Sequence, residues 1–193
     1  MNRSRTLSAI AAAVIAFGAS GAALASPKGG EEAQEIATVL GAKTSIVQAI
    51  AAAEQKTGGR ALQIDVDKAS GAYVYEIKTL SKDKLTEVLI DPASGQILKT
   101  RSEGLIGRLL EREDKADMAR INSAPTTLAT AVTAAEQHVG GKAIEASFDG
   151  EDGRAVYKVE VVKDNAVKKV RVNAQTGAVT DHMSGAHDED EED

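Results

Sequence analysis

The residues able to do chemistry are few, and they form no closed constellation. Histidine occurs three times, as His138, His182 and His187. None lies in a His-Glu-x-x-His spacing, so the paired imidazoles and general base of a zinc peptidase are missing. Cysteine is absent, which removes disulfides, thiolate nucleophiles and zinc–thiolate sites. Ser81-Lys82-Asp83-Lys84 has the Ser-x-x-Lys spacing of a nucleophile and its base in some acyl-transfer enzymes. Its companion motifs are missing and it falls between two alternating apolar stretches, so it reads as an accidental match in a hairpin turn. The C-terminal segment from His182 to Asp193 holds two histidines and an unbroken run of carboxylates from Asp188 to Asp193. Carboxylates suit calcium, and imidazole suits nickel, copper or zinc. His182, His187, Asp188, Glu189 and Asp190 are therefore the candidate metal ligands. Their spacing closes no site and their like charges repel, so the expectation is a disordered, solubilising tail that binds divalent cations weakly. No catalytic or cofactor-binding residue is assigned.

An internal repeat organises everything upstream of that tail. When Thr44 is laid on Thr126, the chain matches itself without a gap as far as Lys99. Ala53-Glu54-Gln55 falls on Ala135-Glu136-Gln137, and Gly58-Gly59 on Gly140-Gly141. Asp67 falls on Asp149, Val74-Tyr75 on Val156-Tyr157, Val88 on Val170, and Gly95 on Gly177. Most positions that differ keep their character, as Ile50 with Val132 and Ile77 with Val159. Upstream, Ile36-Ala37 and Val39 face Met118-Ala119 and Ile121, which points to a short preceding helix in each copy.

Each copy opens with one apolar helix stripe: Ile46, Ala49, Ile50 and Ala53 in the first, Leu128, Ala131, Val132 and Ala135 in the second. Thr44 or Ser45 can cap the first helix, and Ser45 with Gln48 fits a capping box. Glycine pairs end both helices, because glycine accepts the left-handed conformation of a C-cap. Glu54 and Glu136 recur near the helix ends; they are expected to be solvated or paired with a nearby Lys or Arg, in a shared structural role. The apolar period then drops to two through Leu62, Ile64 and Val66, through Tyr73, Tyr75 and Ile77, and through Val88 and Ile90. Asp91-Pro92-Ala93-Ser94-Gly95 is a strong turn, and Ile97 and Leu98 suggest a short last strand. The fold class is α+β, two tandem modules, each an N-terminal helix on a three- to four-stranded antiparallel sheet. The sheet face away from the helix carries Glu76, Lys78 and Glu87 in one copy and Lys158, Glu160 and Lys169 in the other. It reads as a solvated surface or as a docking face.

The N-terminus supplies Arg3 and Arg5, then an apolar stretch from Leu7 to Leu24, then Ala23-Leu24-Ala25 before Ser26. That is the layout of a cleaved secretory signal peptide. No other apolar run is long enough for a membrane span, and no cysteine follows the cleavage site to carry a lipid. The segments are 1–25 as signal peptide, 30–101 as first module, 102–122 as a linker helix partly belonging to the second, 123–182 as second module, and 183–193 as acidic tail. Leu105, Ile106, Leu109 and Leu110 give the linker its helical stripe. The net charge of −6 concentrates near the N-terminal glutamates and in the tail. No basic patch exists, so nucleic acid is excluded as a partner.

The Ala-rich helix ending in Gly-Gly, the Val-Tyr-Glu-Ile-Lys and Val-Tyr-Lys-Val-Glu strands, and the closing Val172 to Val179 segment resemble the PepSY family. Asn173 replaces the family's Asp there, and Ser94 replaces its Thr in the first copy. The resemblance covers both repeats and implies a non-catalytic, periplasmic or secreted protein that binds and regulates, and can inhibit, a peptidase or other envelope protein. The alternative is a metal-binding or metal-responsive periplasmic protein that uses the tail. Calorimetry on the full chain and on a chain ending at Asp181 separates the two: loss of divalent-cation uptake on truncation is expected of the tail, and equal uptake would remove it from consideration.

Overall fold

A computed structural model describes residues 29–82, 84–105, 119–150 and 154–181. Helices α1 (Gly29–Gly41) and α2 (Ile46–Thr57) precede strands β1 (Arg60–Ala69), β2 (Ala72–Ser81), β3 (Lys84–Ile90) and β4 (Ile97–Leu105). A helical turn at 119–123 leads to α3 (Leu128–Val139). Strands β5 (Lys142–Asp149), β6 (Val156–Lys163), β7 (Ala166–Asn173) and β8 (Val179–Asp181) complete the described chain. The two copies therefore have one topology, a helix followed by four antiparallel strands.

Local chemistry fixes the helix ends. Ser45 and Gln48 form the capping box: Gln48 N donates to Ser45 Oγ at 3.2 Å and Ser45 N to Gln48 Oε1 at 2.9 Å. Thr127 caps α3 alone, accepting from Thr130 N at 3.1 Å. Gly58 and Gly140 take φ of 63° and 75°, which closes each helix. The next glycine of each pair serves a close approach instead. A Cβ on Gly59 would lie 2.8 Å from the Leu80 carbonyl oxygen, and one on Gly141 would lie closer still to that of Val162. Glu54 Oε1 accepts from Ala61 N at 2.8 Å and Glu136 Oε1 from Ala143 N at 3.0 Å. These carboxylates thus receive a backbone N–H rather than a Lys or Arg. The physical reason is a register shift just after Ala61 and Ala143, which frees that N–H from the ladder.

All eight strands join one sheet in the order β4-β3-β2-β1-β5-β6-β7-β8. The junction is the antiparallel pair β1–β5, where Gln63 faces Ser147 and Ile64 faces Ala146. Ile64 and Ala146 are repeat equivalents, so a pseudo-twofold axis passes through their contact. Helices α2 and α3 pack side by side on one face. Between helices and sheet, Ile50, Ile64, Tyr75, Ile77, Val132, Ala146, Tyr157 and Val159 belong to one continuous core that spans both copies.

The last strand of the first copy differs from its reading in sequence. β4 has nine residues and ends at Leu105, so the stretch read as a linker helix over 102–122 begins as strand. Pairing decides this: Lys84, Thr86 and Glu87 face Leu105, Ser102 and Arg101 on β4. Residues 106–118 of that stretch, the signal-peptide segment and the tail beyond Asp181 lie outside the described residues.

The glycine contacts yield a ranked prediction. Gly141→Ala should lower unfolding stability by about 2 kcal/mol or more, because a core strand must move. Gly59→Ala should cost less, and urea denaturation of the two variants would reverse this order only if the β6 contact is looser than described.

Candidate functional site

The sheet face opposite α2 and α3 is built from alternate residues: Gln63, Asp65 and Asp67 on β1, Glu76 and Lys78 on β2, Glu87 on β3, Glu145 and Ser147 on β5, Lys158 and Glu160 on β6, and Lys169 on β7. The strand period of two puts all of them on one side, as expected from the sequence. Away from the seam, opposite charges offset one another. Glu87, only 4 % exposed, receives Arg101 Nη2 at 2.5 Å from the neighbouring strand. Lys78 lies 3.6 Å from Glu76, Lys169 pairs with Glu160, and Lys158 pairs with Asp149. These pairs are cross-strand or same-face neighbours of the kind that stabilise sheets modestly.

The seam is different. The pseudo-twofold maps the Gln63–Ser147 pair onto Asp65 and Glu145, two half-buried carboxylates that stand where the described ladder ends. Like charges directly opposite oppose pairing. Helix α1 lies against β1 and β5 there. Its Glu32 and Glu35, with Asp65, Glu145, Glu160 and Lys169, line a cavity of about 290 Å³. Burial, then repulsion from Glu31, Glu32, Asp65 and Asp67, pushes the Glu35 pKa up. Burial is also the main cause of the upward shifts of Asp65, Glu76 and Glu145, reinforced by neighbouring carboxylates and opposed by the Gln63 hydrogen bond at Asp65 and by Lys78 or Lys169. The hydrogen bond to Glu160 holds the Lys169 ammonium above its ordinary range.

Other residues singled out in sequence are dispersed. Ser81 and Lys84 are cross-strand partners at the β2–β3 hairpin, where Lys82 takes φ of 54°. His138 sits in the last turn of α3, 3.1 Å from Asp181 on β8. His182, His187, Asp188, Glu189 and Asp190 lie outside the described residues. Among the described residues no group of three or more His, Asp or Glu is placed to hold a metal ion. No single helix among them is long and apolar enough to cross a membrane; α1 and α2 approach that length only as a pair bent by 83°.

A family model described as peptidase propeptide and YPEB domain matches residues 43–101 and 126–183. The chain belongs to the PepSY family. PepSY domains are non-catalytic propeptide or regulatory modules, and this chain carries two of them in one sheet. A search of curated proteins gave no match. Among solved structures, a Clostridium difficile 630 protein assigned as a lipoprotein is similar at 20% identity and a TM-score of 0.43, over 72% of this chain and 91% of that one.

Sequence reasoning placed Glu76, Lys78, Glu87, Lys158, Glu160 and Lys169 on the open face but missed the seam carboxylates. Their alternation was legible; that β1 and β5 would adjoin was not. The pKa shifts set a pH dependence. Asp65 and Glu145 titrate above their ordinary values of 3.8 and 4.5, so the folded state binds their protons more tightly than the unfolded chain. The resulting stability is fully present below those ordinary values and is lost as pH rises through the folded ones. Asp65→Asn or Glu145→Gln should therefore raise stability near pH 7 by about 0.5 kcal/mol and change little near pH 3.5. Urea denaturation at both pH values checks this; a loss of stability at neutral pH would contradict it.

Proposed function

We propose that this protein is an exported, non-catalytic PepSY protein that binds a peptidase or other envelope protein through its open sheet face and regulates it. The observation that carries this reading is the seam. Three half-buried carboxylates, Glu35, Asp65 and Glu145, crowd there and are all shifted upward. Like charges held together on a folded surface repel one another, and a basic surface laid over them relieves the repulsion and steers association. The flanking ion pairs and the apolar Val74, buried on the same face, give such a partner a mixed polar and apolar footing. The family's propeptide description supports a peptidase as the first partner to test.

Periplasmic extract passed over the immobilised chain, followed by peptidase assays on what is retained, tests the reading. Specific capture that weakens as salt is raised, altered peptidase activity, and loss of both in the Asp65→Asn, Glu145→Gln double variant are expected. Retention unchanged in that variant, or no effect on any captured peptidase, would count against it.

A further inference from the structure

The pseudo-twofold carries each residue of one copy onto its mate, and one pair of mates behaves differently. Arg60, the first residue of β1, reaches the loop before α3, where its Nη2 donates to Ala124 O at 2.7 Å and to Thr126 O at 2.5 Å. Tyr157 Oη donates to that same Thr126 O at 2.9 Å. Burial raises the Tyr157 pKa, and the Arg60 charge and hydrogen bond oppose that rise. A guanidinium thus ties the two loop carbonyls and the phenol into one cluster.

In the other copy the corresponding carbonyls belong to Ala42 and Thr44, and Tyr75 Oη donates to Thr44 O at 3.0 Å. The mate of Arg60 is Lys142, whose side chain is exposed. No hydrogen bond joins Lys142 to either carbonyl among the described residues. Beside Tyr75 lies a cleft of about 330 Å³, bordered by Val39, Ala42, Ile46 and Glu136 and by the exposed Lys43 and Lys142. Burial pushes the Tyr75 pKa up to about 12.

We propose that this cleft receives the guanidinium of an arginine side chain presented by a partner polypeptide, in the position that Arg60 fills in the other copy. The internal arginine shows what the scaffold accepts there: a guanidinium whose Nη2 donates to both loop carbonyls beside a buried phenol. Glu136 supplies a carboxylate at the border, and one of its oxygens already accepts from Ala143 N. Val39 and Ile46 offer apolar walls to the arginine stem. A lysine is a poor substitute, because its compact ammonium is more strongly hydrated than a guanidinium and costs more to desolvate. The cleft borders α1, α2 and α3, apart from the seam carboxylates, so this inference stands independently of docking on the open face.

Titration of the full chain with N-acetyl-arginine amide and N-acetyl-lysine amide, followed by NMR and calorimetry, tests it. The arginine probe should bind saturably in the millimolar range, at least about tenfold more tightly than the lysine probe. Its shifts should centre on Tyr75 and Glu136. Lys142→Arg supplies an internal guanidinium and should abolish binding while raising the melting temperature. Lys142→Gln removes the charge without filling the cleft and should keep binding. Absence of saturable binding, equal affinity for both probes, undiminished binding by Lys142→Arg, or loss in both variants would each overturn the proposal. Neither variant touches the seam, so their failure leaves the salt-dependent capture readout unaffected.

Discussion

Ile64 lies against Ala146, and that one cross-strand contact between repeat equivalents organises the molecule. It joins two four-stranded units into a single sheet and puts the pseudo-twofold axis at its centre. Without it, β1 and β5 would each be an edge with unpaired backbone donors and acceptors. It also brings α2 and α3 side by side, so their Ala-rich stripes and the strands beneath form one core instead of two small ones. Modules of this size bury little apolar surface alone, and sharing a core is the direct remedy. A small residue opposite a large one suits the site: Ala146 leaves room for Ile64 under both helices, and both are fully buried.

The axis relates backbones more faithfully than it relates charges. The core and the helix-end residues obey it: Tyr75 and Tyr157 both donate to the loop before their helix, and Glu54 and Glu136 both accept the N–H of the second strand residue, just before the bulge. The turns follow it as well. Asp91 accepts from Ala93 N and Ser94 Oγ, Asn173 from Gln175 N and Thr176 N, so either side chain serves the same turn. The Asp91 hydrogen bonds hold its carboxyl below the ordinary range, opposite in sign to the seam carboxylates.

Departures from the symmetry collect at two places. At the seam, Gln63 and Ser147 pair while their mates Glu145 and Asp65 repel as like charges beside α1, where the described ladder ends. At the loops, Arg60 crosses between copies while Lys142 does not. Duplicated structure with divergent polar residues is the arrangement in which one copy can keep an internal contact and the other can offer that place to a partner. The open face and the helix-side cleft are thus two separate consequences of one duplication.

Much of this was legible in the chain. The repeat, the helix stripes at Ile46 and Leu128, the Ser45 capping box, the glycine pairs and the alternating strands are set by short-range periodicity and backbone preference, which neighbouring residues encode directly. The outward direction of Glu76, Lys78, Glu87, Lys158, Glu160 and Lys169 followed from the same period of two. Sequence left β4 too short, because its length rests on partners in β3 and not on its own apolar residues. The β1–β5 seam, the crowding of Glu35, Asp65 and Glu145, and the reach of Arg60 to Ala124 and Thr126 were decided only in tertiary structure. Each joins residues from separate copies, and a contact across that distance leaves no periodic trace in either strand or helix that makes it.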